Sequence, residues 1–305
     1  MTLLRFSPGF ALALAGLVPH APASAQQIPI VQSGADGRFE RQIDPKTAVP
    51  GFDPVAFRGF RSSMDAIIAQ LAAMPSVNAP SAPVCHRLMS YLETVRRHGV
   101  FAGSVSVFSP IKFENGRCHR MTGGGVELII NSTLSTFEAN RARVRDAEGG
   151  RANWFVMKPE FDGRIIRLAT GEILLTNGRP LLVPVSGKRY VAEQVKREAA
   201  NLPPGAQQPL PWRDLSQRLT PDAAARPACL DRSMLSMELT ADCDPRLQIW
   251  EVNPHYFDSG RMGDIQMIVL RTPQGAYHGE SDARLKARQA VWQALDLTAL
   301  SAMVR

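Results

Sequence analysis

Glutamate, aspartate and histidine are the side chains most used to move protons in catalysis, and one short segment of this chain gathers all three. Glu251, His255 and Asp258 lie within eight consecutive residues, Glu-Val-Asn-Pro-His-Tyr-Phe-Asp, where an apolar stretch runs into a turn. They could supply acid–base groups. The same residues also read as a structural corner, with Asn253 bonding backbone, Pro254 stiffening it, and Tyr256 and Phe257 tucked into a core. The corner is the reading we prefer. Glu127 inside an apolar run, and Glu160 with Asp162 beside a turn, are further carboxylate candidates. A paired-carboxylate glycosidase site stays open, because its spacing is set in space and not along the chain. No catalytic assignment follows from these residues; Glu127, Glu251, His255 and Asp258 are the candidates.

Metal chemistry has one conditional foothold. Cys85-His86 and Cys118-His119 repeat a Cys-His pair. If the two cysteines bridge adjacent antiparallel strands, His86, Arg117 and His119 share the opposite face, and two imidazoles come within reach of one ion. There is no H-E-x-x-H and no paired C-x-x-C, so no metal is expected, and His86 and His119 are the residues to watch.

Other signatures fail on spacing. Ser186-Gly187-Lys188 is followed by Arg189, and Gly178 stands at the wrong distance for a phosphate loop. Gly123-Gly124-Gly125 precedes a strand instead of linking a strand to a helix, which excludes a dinucleotide fingerprint. There is no G-x-S-x-G. Ser109-Pro110-Ile111-Lys112 matches S-x-x-K but lacks the later elements that a penicillin-recognising enzyme needs. No cofactor is expected. Asn131-Ser132-Thr133 has the form of a glycosylation acceptor, relevant only to a eukaryotic secretory route.

The net charge of +7 is modest and dispersed. Its densest cluster, Arg141, Arg143, Arg145 and Arg151, is broken by Asp146 and Glu148, and no basic stripe with interleaved aromatics appears. Nucleic acid is therefore not an expected partner. Arg5, the apolar run Phe10–Val18 and the small residues Ala23-Ser24-Ala25 read as a secretory leader cleaved before Gln26. No later stretch is apolar and long enough to span a membrane, so after cleavage no transmembrane segment is expected. The four cysteines then fall in an oxidising compartment. Three pairings exist; the local one, Cys85–Cys118 and Cys229–Cys243, is preferred, each bridge contributing about 2–4 kcal/mol.

These residues have to be positioned by elements, and the best-marked run is Glu172 to Asn201. Asn177-Gly178 between two apolar stretches predicts a β-hairpin. Ser186 is placed to cap a helix in which Tyr190, Val191, Val195 and Ala199 recur at helical spacing. Residues 26–59 read as an extended arm. A helix is expected after a cap at Ser62 or Ser63, with Met64, Ile67, Ile68 and Leu71 on one face. Residues 84–98 fit a helix or a strand, and helix is preferred. A hairpin is expected around Asn115-Gly116, a short helix over 136–144, strands at Trp154–Met157 and Ile165–Leu168, Leu247–Val252 and Ile265–Arg271, and a final helix capped by Ser281. The expectation is an α+β fold, mainly an antiparallel sheet with helices packed on one face. Residues 1–25 form the leader, 26–59 the arm and 60–305 a single domain, with 201–212 the one candidate for a subdomain break.

Two segments carry a resemblance. Asn177-Gly178-Arg179-Pro180 through Ser186 and Tyr190, and Asn253 through Asp258 with Gln266 and the run to Arg271, resemble stretches of an uncharacterised family of exported bacterial proteins. Ser186 stands where threonine is usual, which preserves the cap. The resemblance implies export and a shared fold, with no activity and no catalytic residues. The expected function is an exported, periplasmic or cell-surface, non-enzymatic module that binds a protein or envelope ligand. A hydrolase acting on an envelope polymer through carboxylate or histidine groups, and a structural envelope protein, stay open as alternatives.

Overall fold

A computed structural model of the chain describes residues 31–32, 38–42, 53–80, 84–93, 98–114, 117–120, 124–132, 154–201, 211–230, 237–238, 243–276 and 279–305. The expected leader, most of the arm, the helix over 136–144 and the core of the 201–212 break lie outside these residues. Numbered in chain order, the strands are β1 (Val31–Gln32), β2 (Arg38–Gln42), β3 (Val84–Leu92), β4 (Gly103–Glu114), β5 (Arg117–Arg120), β6 (Val126–Ile130), β7 (Trp154–Val156), β8 (Glu160–Asp162), β9 (Ile165–Arg167), β10 (Ile173–Thr176), β11 (Leu182–Pro184), β12 (Cys229–Leu230), β13 (Met237–Glu238), β14 (Ile249–Val252) and β15 (Met267–Arg271). The helices are α1 (Pro54–Ala73), α2 (Pro75–Asn78), α3 (Gly187–Ala200), α4 (Pro211–Arg218), α5 (Pro221–Ala225), α6 (Asp282–Gln293) and α7 (Leu297–Met303).

The main sheet runs β1-β2-β3-β4-β6-β15-β10-β9-β8, with β5 added to β4, and it is antiparallel everywhere except between β2 and β3. A second sheet, β11-β14-β7, stacks on it. Side chains of successive strand residues point to opposite faces. Leu128, Ile130, Ile268, Leu270 and Leu175 meet Phe60, Ile67 and Leu71 of α1, Val291 of α6 and Leu300 of α7. Ile129, Val269, Met267 and Leu174 point the other way, into Phe155, Leu182 and Tyr256 beside the second sheet. The central strands are covered on both sides, so they read as unbroken apolar runs without alternation. Beyond the second sheet, Trp154, Val185 and Ile249 meet Tyr190 of α3. The fold is α+β with a mainly antiparallel sheet, and α1, α6 and α7 pack on one of its faces.

Several elements differ from expectation for identifiable reasons. Asp53 caps α1, its Oδ1 accepting from Val55 N at 2.8 Å, and Pro54 opens the helix. Phe57 and Phe60 already lie on the face of Met64, Ile67 and Leu71, so the helix begins inside the expected arm and not at Ser62 or Ser63. Residues 84–92 form strand β3, not a helix. Leu88 and Leu92 are four apart, a spacing that satisfies both periodicities, and pairing with β2 and β4 decides between them. The final helix breaks in two at Asp296, whose carboxylate caps α7 by accepting from Ala299 N at 2.9 Å; Ser281 occupies the N-cap of α6 without a side-chain bond.

The largest correction concerns Asn177-Gly178. The strands before and after it do not pair with each other. β10 pairs with β9 and β15 in the main sheet, whereas β11 pairs with β14 in the second. Gly178 does adopt positive φ, +89°, but the turn carries the chain from one sheet to the other. Ser186 caps α3 as expected, accepting from Arg189 N at 3.3 Å. Tyr190, Val191 and Gln194 form the buried face, with Val195 only partly covered and Ala199 exposed. β4 and β5 pair antiparallel outward from Glu114 and Arg117, on either side of Asn115-Gly116.

Cys229 and Cys243 form a disulfide. Cys85 is also disulfide-bonded, and the side chain of Cys118 lies outside the described residues. Across 202–210, Glu198 of α3 accepts from Trp212 N and Arg213 N at the start of α4, both at 3.1 Å. No helix of the described residues is long and apolar enough to cross a membrane.

Candidate functional site

The three acid–base candidates of the Glu251–Asp258 segment serve separate parts of the fold. Glu251 sits on β14 facing α3 and is buried. It pairs with Arg189 and accepts from Trp154 Nε1 at 3.2 Å. Burial pushes its carboxyl up, against the opposing pull of Arg189 and Trp154. His255 is exposed, and its carbonyl accepts from Arg179 Nη2 at 2.6 Å. Asp258 caps a short turn by accepting from Gly260 N at 2.9 Å. Between them, Tyr256 is fully buried, donates to Gln266 O at 2.5 Å and accepts from Asn177 N at 3.1 Å. Burial pushes its phenol up to about 12. This is the structural corner read from the sequence, and it ties the sheet-switching turn to the end of β15.

Asn131 anchors the other side of that corner. Its Oδ1 accepts from Gln266 N at 2.7 Å and Met267 N at 3.0 Å, and its Nδ2 donates to Phe101 O at 2.9 Å and Asp264 O at 2.8 Å. It is wholly buried at φ +55°. The side chain that a glycosylation motif would expose is thus a fully bonded interior strut.

The metal condition is not met. Val84 pairs with Lys112 and Lys112 with His119, so β4 lies between β3 and β5 and the Cys-His strands are not adjacent. His86 falls at a register shift in β3, fully buried. Its Nδ1 lies 3.2 Å from Val77 O, while Nε2 has no partner. Burial pushes the imidazole down to about 4. The Ser76 carbonyl is near enough to favour the charged form, but not placed to accept a hydrogen bond from Nε2. The side chain of His119 lies outside the described residues. Among the described residues, no group of three His, Cys, Asp or Glu side chains could hold a metal ion.

Glu127 stands in a different setting. Its strand, Val126–Ile130, alternates: Leu128 and Ile130 face the helices, whereas Glu127 and Ile129 face the second sheet. At Ile129 the second sheet covers the face. One row closer to the strand end the side chains become polar and partly open, and a cleft of about 580 Å³ lies there. Glu127 is directly opposite Arg271 across the strand pair and forms an ion pair with it. One residue beyond the pair Ile173–Leu270, Glu172 continues the row on the far side of Arg271. Thr170 donates to Glu172. Phe108, Thr272 and Gln274 complete the walls.

Two glycines make this geometry feasible. A Cβ on Gly125 would sit 2.0 Å from Val107 O, so only glycine lets the chain enter β6 so close to β4. Gly171 turns at φ +91°, and a Cβ there would meet Gln274 Nε2 at 2.1 Å, so the Gln274 side chain lies across a bare backbone. The rim residues Thr272 to Gly275 are held from below. Arg288 donates to Thr272 Oγ1 (3.1 Å), Pro273 O (2.6 Å) and Gly275 O (2.7 Å), and pairs with the equally buried Glu280 at 2.8 Å.

Among the described residues, Glu127 is the one sequence candidate in the cleft. Arg271 was legible only as the charged end of an apolar run. Glu172, Thr170 and Gln274 carried no signal, because their role depends on which strands become neighbours. No protein-family model, no curated protein and no solved structure matches this chain.

Proposed function

We propose that this chain is an exported, periplasmic or cell-surface, non-enzymatic binding module whose ligand, a component of the cell envelope, seats in the cleft at the end of β6 and β15. The observation that carries this reading is the cleft itself. Its volume falls in the range of ligand pockets, and its floor is a charged pair set where an apolar surface would otherwise continue. Binding is favoured over turnover because the candidate acid–base groups have other work: Glu251 holds Arg189, Asp258 caps a turn, and Glu127 holds Arg271. Hydrolysis of an envelope polymer keeps one specific support, the presence of both Glu127 and Glu172 in the cleft. A purely structural envelope role would leave the cleft without a use. Export rests on the leader pattern at residues 1–25, the Cys229–Cys243 bridge and the resemblance to exported bacterial proteins.

The test is amide chemical-shift mapping of the full chain against a soluble digest of bacterial envelope. The expected perturbations cluster at Phe108, Glu127, Thr170–Glu172 and Arg271–Gln274. Shifts confined to other surfaces, or none, would overturn the cleft reading. Release of new reducing ends during the titration, lost in Glu127→Gln, would replace binding by hydrolysis.

A further inference from the structure

We infer that the cleft recognises a neutral polyhydroxylated ligand, a segment of uncharged glycan, through a vicinal diol held by the Glu127–Arg271 pair; this rests on the binding reading above. The geometry of the pair is what points there. Arg271 engages Glu127 Oε2 through Nε. Both terminal nitrogens of Arg271 and the other carboxylate oxygen of Glu127 have no partner among the described residues, and both side chains are about one-third exposed, 34% and 27%. The floor therefore offers fixed donors beside a fixed acceptor. Two neighbouring hydroxyls match it: one donates to the carboxylate oxygen while the other accepts from the guanidinium. A pre-formed pair loses little freedom when it binds, which favours recognition by a rigid sugar ring.

The remaining walls agree. Thr272 Oγ1 already accepts from Arg288, which leaves its proton for a ligand oxygen. Gln274, exposed and laid over Gly171, brings an amide that both donates and accepts. Phe108 supplies an apolar face for the C–H side of a sugar ring. Charge excludes the alternatives. Glu127 neutralises Arg271 and Glu172 adds a further negative charge, so an anionic ligand would meet no free cation among the described lining residues. A cationic ligand would have to approach the guanidinium at the centre of the floor. A hydrocarbon ligand would strand the unpartnered donors and acceptors.

The experiment is calorimetric titration of the full chain with N-acetylchitotetraose and cellotetraose as neutral glycans, trigalacturonate as an anionic one and spermidine as a cation. Saturable binding of a neutral tetrasaccharide is expected. Arg271→Lys, which keeps the charge and loses the planar fork, should weaken it roughly tenfold or more. Gln274→Ala at the exposed rim should weaken it while leaving the thermal melt unchanged, and Lys188→Ala on the exposed face of α3 should preserve it. Saccharide binding indifferent to Arg271→Lys and Gln274→Ala would overturn the inference. So would spermidine binding that Glu172→Gln abolishes, or no glycan binding while the envelope digest still shifts the cleft amides; in that last case the cleft reading survives and only the ligand class falls. If neither digest nor glycan reaches the cleft, both readings fail.

Discussion

His86 is stable in its place only while neutral. Its Nε2 is buried without a partner. The imidazole is pushed from 6.5 down to about 4 by burial. The folded pKa lies below the unfolded one, so between these values the unfolded chain binds the proton and the folded chain does not. Stability is therefore lost as pH falls from the ordinary histidine value towards about 4, by about 3 kcal/mol across the window. Glu251 acts in the opposite sense: its raised carboxyl pKa favours the folded state on acidification, and the opposing pull of Arg189 and Trp154 keeps that effect small. Urea melts at about pH 7 and about pH 4.5 should show the net acid loss, and His86→Gln should lose less than the parent over that interval. An identical acid loss in parent and variant would remove His86 as its source.

At the scale of elements, the turn at Gly178 and the clamp at Arg288 make separate predictions. A Cβ at Gly178 would meet nothing nearer than Arg164 Cγ at 3.9 Å, so the penalty for a side chain there is backbone strain alone. Gly178→Val should cost about 1–3 kcal/mol. Ser186→Ala should cost about 1 kcal/mol by leaving a first-turn N–H of α3 unpaired. Lys188→Ala, on the exposed face, should change stability by no more than about 0.5 kcal/mol. Urea melts that reverse this order would reject the account of the turn and of α3. Arg288→Met removes the ion-pair partner of the buried Glu280 and should cost about 3–5 kcal/mol. It also releases three acceptors of the rim, so amides over 272–276 should exchange faster than in the parent. Adding Glu280→Gln should recover part of the loss, since the carboxylate that lost Arg288 then carries no charge. A cost under about 1 kcal/mol for the single change would show that the rim is held by something else.

The whole molecule is a stack: helices, main sheet, second sheet, α3. The candidate cleft opens where the second layer stops short of the strand ends, and the Cys229–Cys243 bridge lies at the far end, beside α3. Closing fourteen residues of chain, the bridge should contribute about 3 kcal/mol by restricting the unfolded state. The double change Cys229→Ala/Cys243→Ala should lose that amount in denaturant melts, with faster amide exchange around Ala228 and Ile249 and little change at Glu127. Loosening spread evenly to the main sheet would contradict the layered order of contacts.

The elements readable in the sequence were those set by near neighbours. Ser186 and its helix, the positive φ of Gly178, the Cys229–Cys243 bridge, the α+β class and the corner at Asn253–Asp258 all follow from backbone sterics, local hydrogen bonding or short loop closure. What followed Gly178 did not. Two apolar runs about a tight turn look the same whether they pair with each other or with different sheets, and only burial of Leu174 and Leu182 on facing sheets separates the cases. Leu88 and Leu92 fit two periods at once until β2 and β4 arrive at their edges. The cleft was least legible. Glu127 was visible as a charge in an apolar strand, but Arg271 and Glu172 become its neighbours only through strand register across more than forty residues of chain. Local sequence fixes what each segment prefers, whereas the pairing that brings a glutamate, an arginine and a second glutamate into one row is decided by the packing of the whole core.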